Sequence, residues 1–269
     1  MQNRKLSILT LICISTMLPL ATIHAKESFF KRTKDRVFGF FKSYTHEKVV
    51  NNEYTLTNPG TLTLNNFDGD ITIKTDWNRN AVCVKATKRA SKEETLPLIT
   101  IKNVRKTVND KENLTIATAY ANNEVKAQVD YELIVPSDMR LQLTTQRGMI
   151  IVNDVNGAVA ASTTHGSIEL NNTQKLVVAN TQQSGSISIN DAKGPIQATA
   201  NNGNILIKDA CDSIIASTEY GTINSVCSNV PENGRIKLDA TSGAIILALP
   251  SETNATLRGH TQRGTLTSN

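Results

Sequence analysis

Residues 166–189 read GSIELNNTQKLVVANTQQSGSISI, and this stretch decides the fold. Gly166 is followed two and four residues later by Ile168 and Leu170, then by Asn171-Asn172, then by Val177 and Ala179. The pattern restarts at Gly185 with Ile187 and Ile189. Apolar residues at alternate positions, rich in β-branched types, describe a short strand with one buried face. Asn and Asp bond their own backbone and tolerate the left-handed region, so the Asn pair is a corner. The glycine supplies the positive φ of a second tight corner.

The same phase recurs along the second half of the chain. Glycines stand at 148, 166, 185, 203, 221, 243 and 264, separated by 18, 19, 18, 18, 22 and 21 residues. Two residues after them come Ile150, Ile168, Ile187, Ile205, Ile223, Ile245 and Leu266. Corners follow at Asn153-Asp154, Asn190-Asp191 and Lys208-Asp209, then a large and small apolar pair: Val159/Ala161, Val177/Ala179, Ile196/Ala198 and Ile214/Ala216. Large side chains facing small ones fill a narrow interior without voids.

A period near twenty residues is that of a stacked architecture in which each coil buries its apolar side on the next. The expected fold is all-β: a single-chain β-solenoid, β-helix-like or β-roll-like, of coils of roughly 18–22 residues. The 22-residue interval is accounted for by a looped-out turn at Pro231-Glu232-Asn233-Gly234. A Greek-key sandwich competes, but it does not require one phase in every repeat.

Residues 49–140 are β-rich but less regular, with strands expected at 53–57, 61–64, 70–75, 81–86, 98–104, 114–119 and 127–135. Turns are expected at Asn109-Asp110 and Asn122-Asn123, and a solvated loop at 88–94. They are read as the first coils of the same solenoid, widened by hairpin insertions, before the regular repeats of 141–269.

Residues 1–25 have the layout of a cleaved signal peptide: Arg4 and Lys5, an apolar run over 6–21, and Ile23-His24-Ala25 as the cleavage site. The chain is therefore expected to be exported, to the periplasm, the cell surface or the medium. Residues 26–48 form a basic, Phe-rich segment holding five of the six phenylalanines. Wound as a helix, it gathers Phe29, Phe30, Phe40, Phe41 and Tyr44 within about a third of the circumference and leaves Lys31, Arg32, Lys34, Arg36 and Lys42 outside that arc, with Phe38 and Gly39 as the two flaws. Such an amphipathic helix suits either a peripheral contact with an anionic membrane or a cap over an open end of the solenoid.

The net charge of +5 resides in these leading segments, which carry +2 (residues 1–25) and +4 (residues 26–48). Residues 49–139 sum to −1 and residues 140–269 to zero. The body lacks the basic footprint of a nucleic-acid binder, and no nucleic-acid partner is expected. Outside the signal, Cys211 and Cys227 lie at similar places in successive coils. A disulfide and two small buried thiols both fit that spacing.

Catalytic and metal-binding patterns are thin. His46, His165 and His260 are scattered. The corner acids Asp154, Asp191 and Asp209 are interrupted by Asn172 and Lys208, unlike the regular aspartates of calcium-binding β-rolls. A polysaccharide lyase or hydrolase needs carboxylates projecting together, and the outward candidates, Glu169 and Asp191, do not share a coil position. No cofactor is expected, and no enzyme activity.

The string VDYELIVPSDMRLQLTTQRGMIIVNDVNGAV from Val129, with STTHGSIEL, QSGSISI and SGAIILALP after it and FDGDITIKTDW before it, resembles a bacterial putative-adhesin family of β-strand repeats containing a domain of unknown function. The resemblance covers about residues 60–269. It implies an exported, surface-associated solenoid and carries no catalytic residues. The expected function is binding, adhesin-like or structural within the cell envelope, with a glycan or envelope protein on faces rich in Thr, Ser, Asn and Gln. A carbohydrate-active enzyme and an accessory to envelope-stress sensing are the alternatives.

Overall fold

The computed structural model describes residues 44–76, 80–122, 125–230, 232, 234–253 and 256. The signal-peptide reading, Phe29, Phe30, Phe40 and Phe41, His260 and the Gly264 corner lie outside these residues.

The first part holds β1 (His46–Thr55), β2 (Pro59–Asn65), β3 (Ile71–Thr75), β4 (Ala81–Ala90), a 3-10 turn (Glu93–Leu98), β5 (Ile99–Val108), β6 (Lys111–Tyr120) and β7 (Ala127–Val135). The regular part continues with β8 (Arg140–Arg147), β9 (Ile150–Val155), β10 (Val159–His165), β11 (Ile168–Thr173), β12 (Val177–Ser184), β13 (Ile187–Ala192) and β14 (Ile196–Asn202). It ends with β15 (Ile205–Ala210), β16 (Ile214–Tyr220), β17 (Ile223–Cys227), β18 (Ile236–Ser242) and β19 (Ile245–Ala248).

From β8 onward the chain alternates between two sheets, so every coil contributes one strand to each. Sheet A runs β1-β4-β7-β3-β9-β11-β13-β15-β17-β19, and sheet B runs β18-β16-β14-β12-β10-β8-β2-β6-β5. Successive coils pair in parallel and in register: Ile150, Ile168, Ile187, Ile205, Ile223 and Ile245 form one column. This is the expected solenoid, with two faces, and parallel pairing excludes the antiparallel sandwich. The column isoleucines up to Ile223 are buried, as are Val159, Ala161, Val177, Ala179, Ile196 and Ala198 between the sheets. Burying each large side chain contributes about 1.5–3 kcal/mol.

Both corners follow from residue chemistry. Asp154, Asn172, Asp191 and Asp209 take left-handed φ of 61°, 51°, 54° and 54°. At the other corner Gly148, Gly166, Gly185, Gly221 and Gly243 have positive φ. Gly203 is not among them. It is required instead by close approach, since a Cβ there would lie 2.0 Å from the Gly185 carbonyl oxygen. Buried threonines brace this corner: the Thr145, Thr163 and Thr218 hydroxyls donate to the carbonyls of Gly69, Gly148 and Gly203.

The first coil does not stack where chain order would put it. The β2–β3 coil sits between β6–β7 and β8–β9, so β7 connects to β8 across an already filled layer. A buried polar knot holds it there. Asn66 Nδ2 donates to the carbonyls of Val129 (2.8 Å) and Gly69 (3.2 Å), and its Oδ1 accepts from the Thr118 hydroxyl (2.8 Å). The Asp130 carboxylate accepts from the Asp70 N–H, and the Asp70 carboxylate from the Met149 N–H. Both polar atoms of the Asn66 side chain are bonded, as burial demands.

Other departures are local. His46–Lys48, at the end of the Phe-rich segment, belong to β1 rather than to a helix. The expected loop at 88–94 is strand up to Ala90, because β4 is held between β1 and β7. The β5–β6 hairpin turns at Asn109 and Asp110, both at positive φ, as expected. At this end of the stack Lys88 donates to the Ile99 carbonyl (2.6 Å), Arg105 lies over the Tyr54 ring and Leu96 of the 3-10 turn is buried. Burial lowers the pKa of the Lys88 ammonium. At the opposite end the inward residues Ile236, Leu238, Ala240 and Ile245 are only half-buried.

Candidate binding faces

Outward side chains on the two sheets differ in what they do with their polar groups. On sheet A, Asn153, Asn171 and Asn190 form an amide ladder: Asn171 donates to Asn153 (2.9 Å) and Asn190 to Asn171 (2.8 Å). Glu169 accepts a second bond from Asn171 at 3.0 Å. These groups satisfy one another and leave little for a ligand.

Sheet B presents a different row. Register places Asn65, Thr144, Ser162, Asn180, Thr199 and Ser217 in one line across six strands. Adjacent strands lie about 4.8 Å apart, so the row spans about 24 Å. Among the described residues these side chains form no hydrogen bond with one another or with other protein side chains. The flanking line is Thr63, Gln142, Ala160, Val178, Gln197 and Ile215, in which the Thr63 hydroxyl donates to Gln142 (3.2 Å). The small Ala160 between Gln142 and Val178 opens a shallow groove of about 380 Å³, lined also by Asn65, Thr144, Ser162 and Asn180. Neither line carries a formal charge over this length.

A larger groove, about 570 Å³, crosses the outside of sheet A where β1, β4, β7 and β3 adjoin. It is lined by Glu53, Lys74, Cys83, Lys85, Glu132 and Ile134, among others, and the Lys85–Glu132 ion pair (2.8 Å) spans it.

The candidate chemistry does not converge. Glu169 is engaged in the amide ladder, and Asp191 sits at a corner paired with Lys193 at 2.5 Å. Asp154 accepts from Asn172 (2.8 Å). His165 contacts the Ser184 hydroxyl through Nδ1 (3.2 Å), and His46 starts β1. Among the described residues no group of three or more His, Cys, Asp or Glu is placed to hold a metal ion. Cys211 and Cys227 are thiols here, offset by one position. Cys227 is buried opposite Ala210, whereas Cys211 faces the Ser228 hydroxyl at 3.4 Å. Burial raises the pKa of the Cys227 thiol.

Polar outward faces follow from the sequence, but which of the two is free does not. The signal was present in the alternation of β8 to β16, where the outward residues are nearly all uncharged. It could not be read without the partners that satisfy the Asn column of sheet A.

No family model matches the sequence, and no curated protein does. Solved structures do. The solved neighbours are bacterial putative adhesins. One is a putative cell adhesion protein from Clostridium sporogenes, at 12% identity and a TM-score of 0.44, covering 76% of this chain and 99% of that one. A putative adhesin from Bacteroides fragilis stands at 14% and 0.36, covering 75% and 97%. A third, from Parabacteroides distasonis, stands at 11% and 0.27, covering 74% and 96%.

Proposed function

We propose that this chain is an exported, non-catalytic binding protein of the cell envelope that holds a glycan along the outer face of sheet B. The observation that carries this is the in-register line of hydroxyl and amide side chains from Asn65 to Ser217, open to solvent and not bonded to one another. A glycan offers hydroxyls at regular intervals along its length, and a flat, neutral ladder can meet several of them without desolvating charge. An adhesin-like role, the one named for the solved neighbours, is what such a face would serve. Export rests on Arg4, Lys5 and the apolar run that follows them.

The test is a glycan array followed by calorimetry on the mature chain, beside Ala160→Arg. That substitution places a long charged side chain in the groove while leaving the inward face of β10 intact. Saturable binding that Ala160→Arg abolishes supports the proposal. Failure of every glycan to bind, binding indifferent to Ala160→Arg, or release of reducing ends from a bound polysaccharide refutes it.

A further inference from the structure

The groove on sheet A has a charge layout that the sheet B face lacks. Register places Glu53 opposite Cys83, Cys83 opposite Ile134 and Ile134 opposite Lys74, on β1, β4, β7 and β3 in turn. All four line the groove. A carboxylate therefore stands at one end and an ammonium at the other, three strand spacings apart, which is about 14 Å. The side chains between them are apolar, and Ile134 is 41% exposed. The parallel line one pleat away is Asn51, Lys85, Glu132 and Thr72, where the central charges pair with each other. The charges left at the two ends have opposite sign and face along one apolar floor.

A ligand that fits carries a cation and an anion about 14 Å apart, with a weakly polar middle. An extended peptide of about four residues spans that length, with its ammonium and carboxylate at the ends. The volume of about 570 Å³ falls within the range of small-ligand sites. We propose that this groove binds short peptides with both termini free, the N-terminus at Glu53 and the C-terminus at Lys74. The proposal does not rest on glycan binding, since it concerns the opposite sheet, and either can fail alone.

The experiment titrates the mature chain with tetra-alanine, N-acetyl tetra-alanine and tetra-alanine amide, followed by calorimetry. Free tetra-alanine should bind saturably. Capping either end should weaken it about two- to fivefold, the range of an exposed ion pair. Lys74→Gln should weaken the free acid by the same factor and leave the amide unchanged. Glu53→Gln should do likewise for the free amine and the acetylated peptide. Both substitutions are at exposed positions, and an unchanged melting temperature confirms the fold. No saturable signal, caps without effect, or Lys74→Gln weakening acid and amide alike would overturn the proposal.

Discussion

Gly166→Ala and Gly203→Ala together measure what the glycine column contributes. A Cβ on Gly166 would lie 1.9 Å from the Gly148 carbonyl oxygen, where ordinary contact begins at 3.4 Å. The obstructing atom is backbone, so the two corners must part by about 1.5 Å, the difference between those distances. That movement lengthens the bonds from Gly148 N–H to His165 O (3.0 Å) and from Ile150 N–H to Ser167 O (3.0 Å), which join these two coils. Losing two such bonds costs about 2 kcal/mol. A φ of +150° adds about 1–3 kcal/mol of strain for a residue with a Cβ. Gly166→Ala should therefore cost about 3–5 kcal/mol. Gly203→Ala meets the same obstruction, 2.0 Å from the Gly185 oxygen, without the positive φ, and should cost about 2 kcal/mol. Urea unfolding followed by far-ultraviolet circular dichroism gives both values. If either variant lies within about 1 kcal/mol of wild type, or Gly203→Ala is the more damaging, the account of this corner is wrong.

Three further outcomes are expected. The Tyr131 hydroxyl is buried and bonded to Thr118 at 2.8 Å, and burial pushes its pKa up from 10.0 to about 12. The unfolded phenol ionises first, so stability should be full below pH 10 and fall by about 2–3 kcal/mol between pH 10 and 12. Tyr131→Phe should remove that part of the alkaline loss, and urea midpoints equal in both proteins across this window would contradict it. At the exposed corner residue Asp209, with φ of 54°, substitution by Asn should be neutral and by Val should cost about 1–2 kcal/mol, read from melting temperatures. Anionic liposomes should co-sediment the mature chain but not one lacking residues 26–43, if the Phe-rich segment contacts membrane; equal sedimentation would exclude that contact.

The repeat was legible because its causes are local. A period-two strand, an Asn or Asp that accepts left-handed φ and a glycine at the opposite bend each depend on neighbours in the chain. Ile150 to Ile223 thus announced their own column before any partner was known. The same locality misjudged residues 88–90, where pairing with β1 and β7 outweighed a run of charges. It also attributed a positive φ to Gly203, which the stack needs only for its lack of a side chain.

Local pattern alone settled the coil, its two corners and its inward residues, for these are decided over spans of about twenty residues. Only tertiary pairing settled that the β2–β3 coil lies between β6–β7 and β8–β9, because Asn66 finds its partners 52 and 63 residues away. It likewise decided which polar face is open. Asn171 and Thr144 look alike as outward polar residues, but one has a neighbouring amide to satisfy it and the other has only solvent. The Glu53–Lys74 groove exists for the same reason: four strands distant in sequence become adjacent once the sheet assembles.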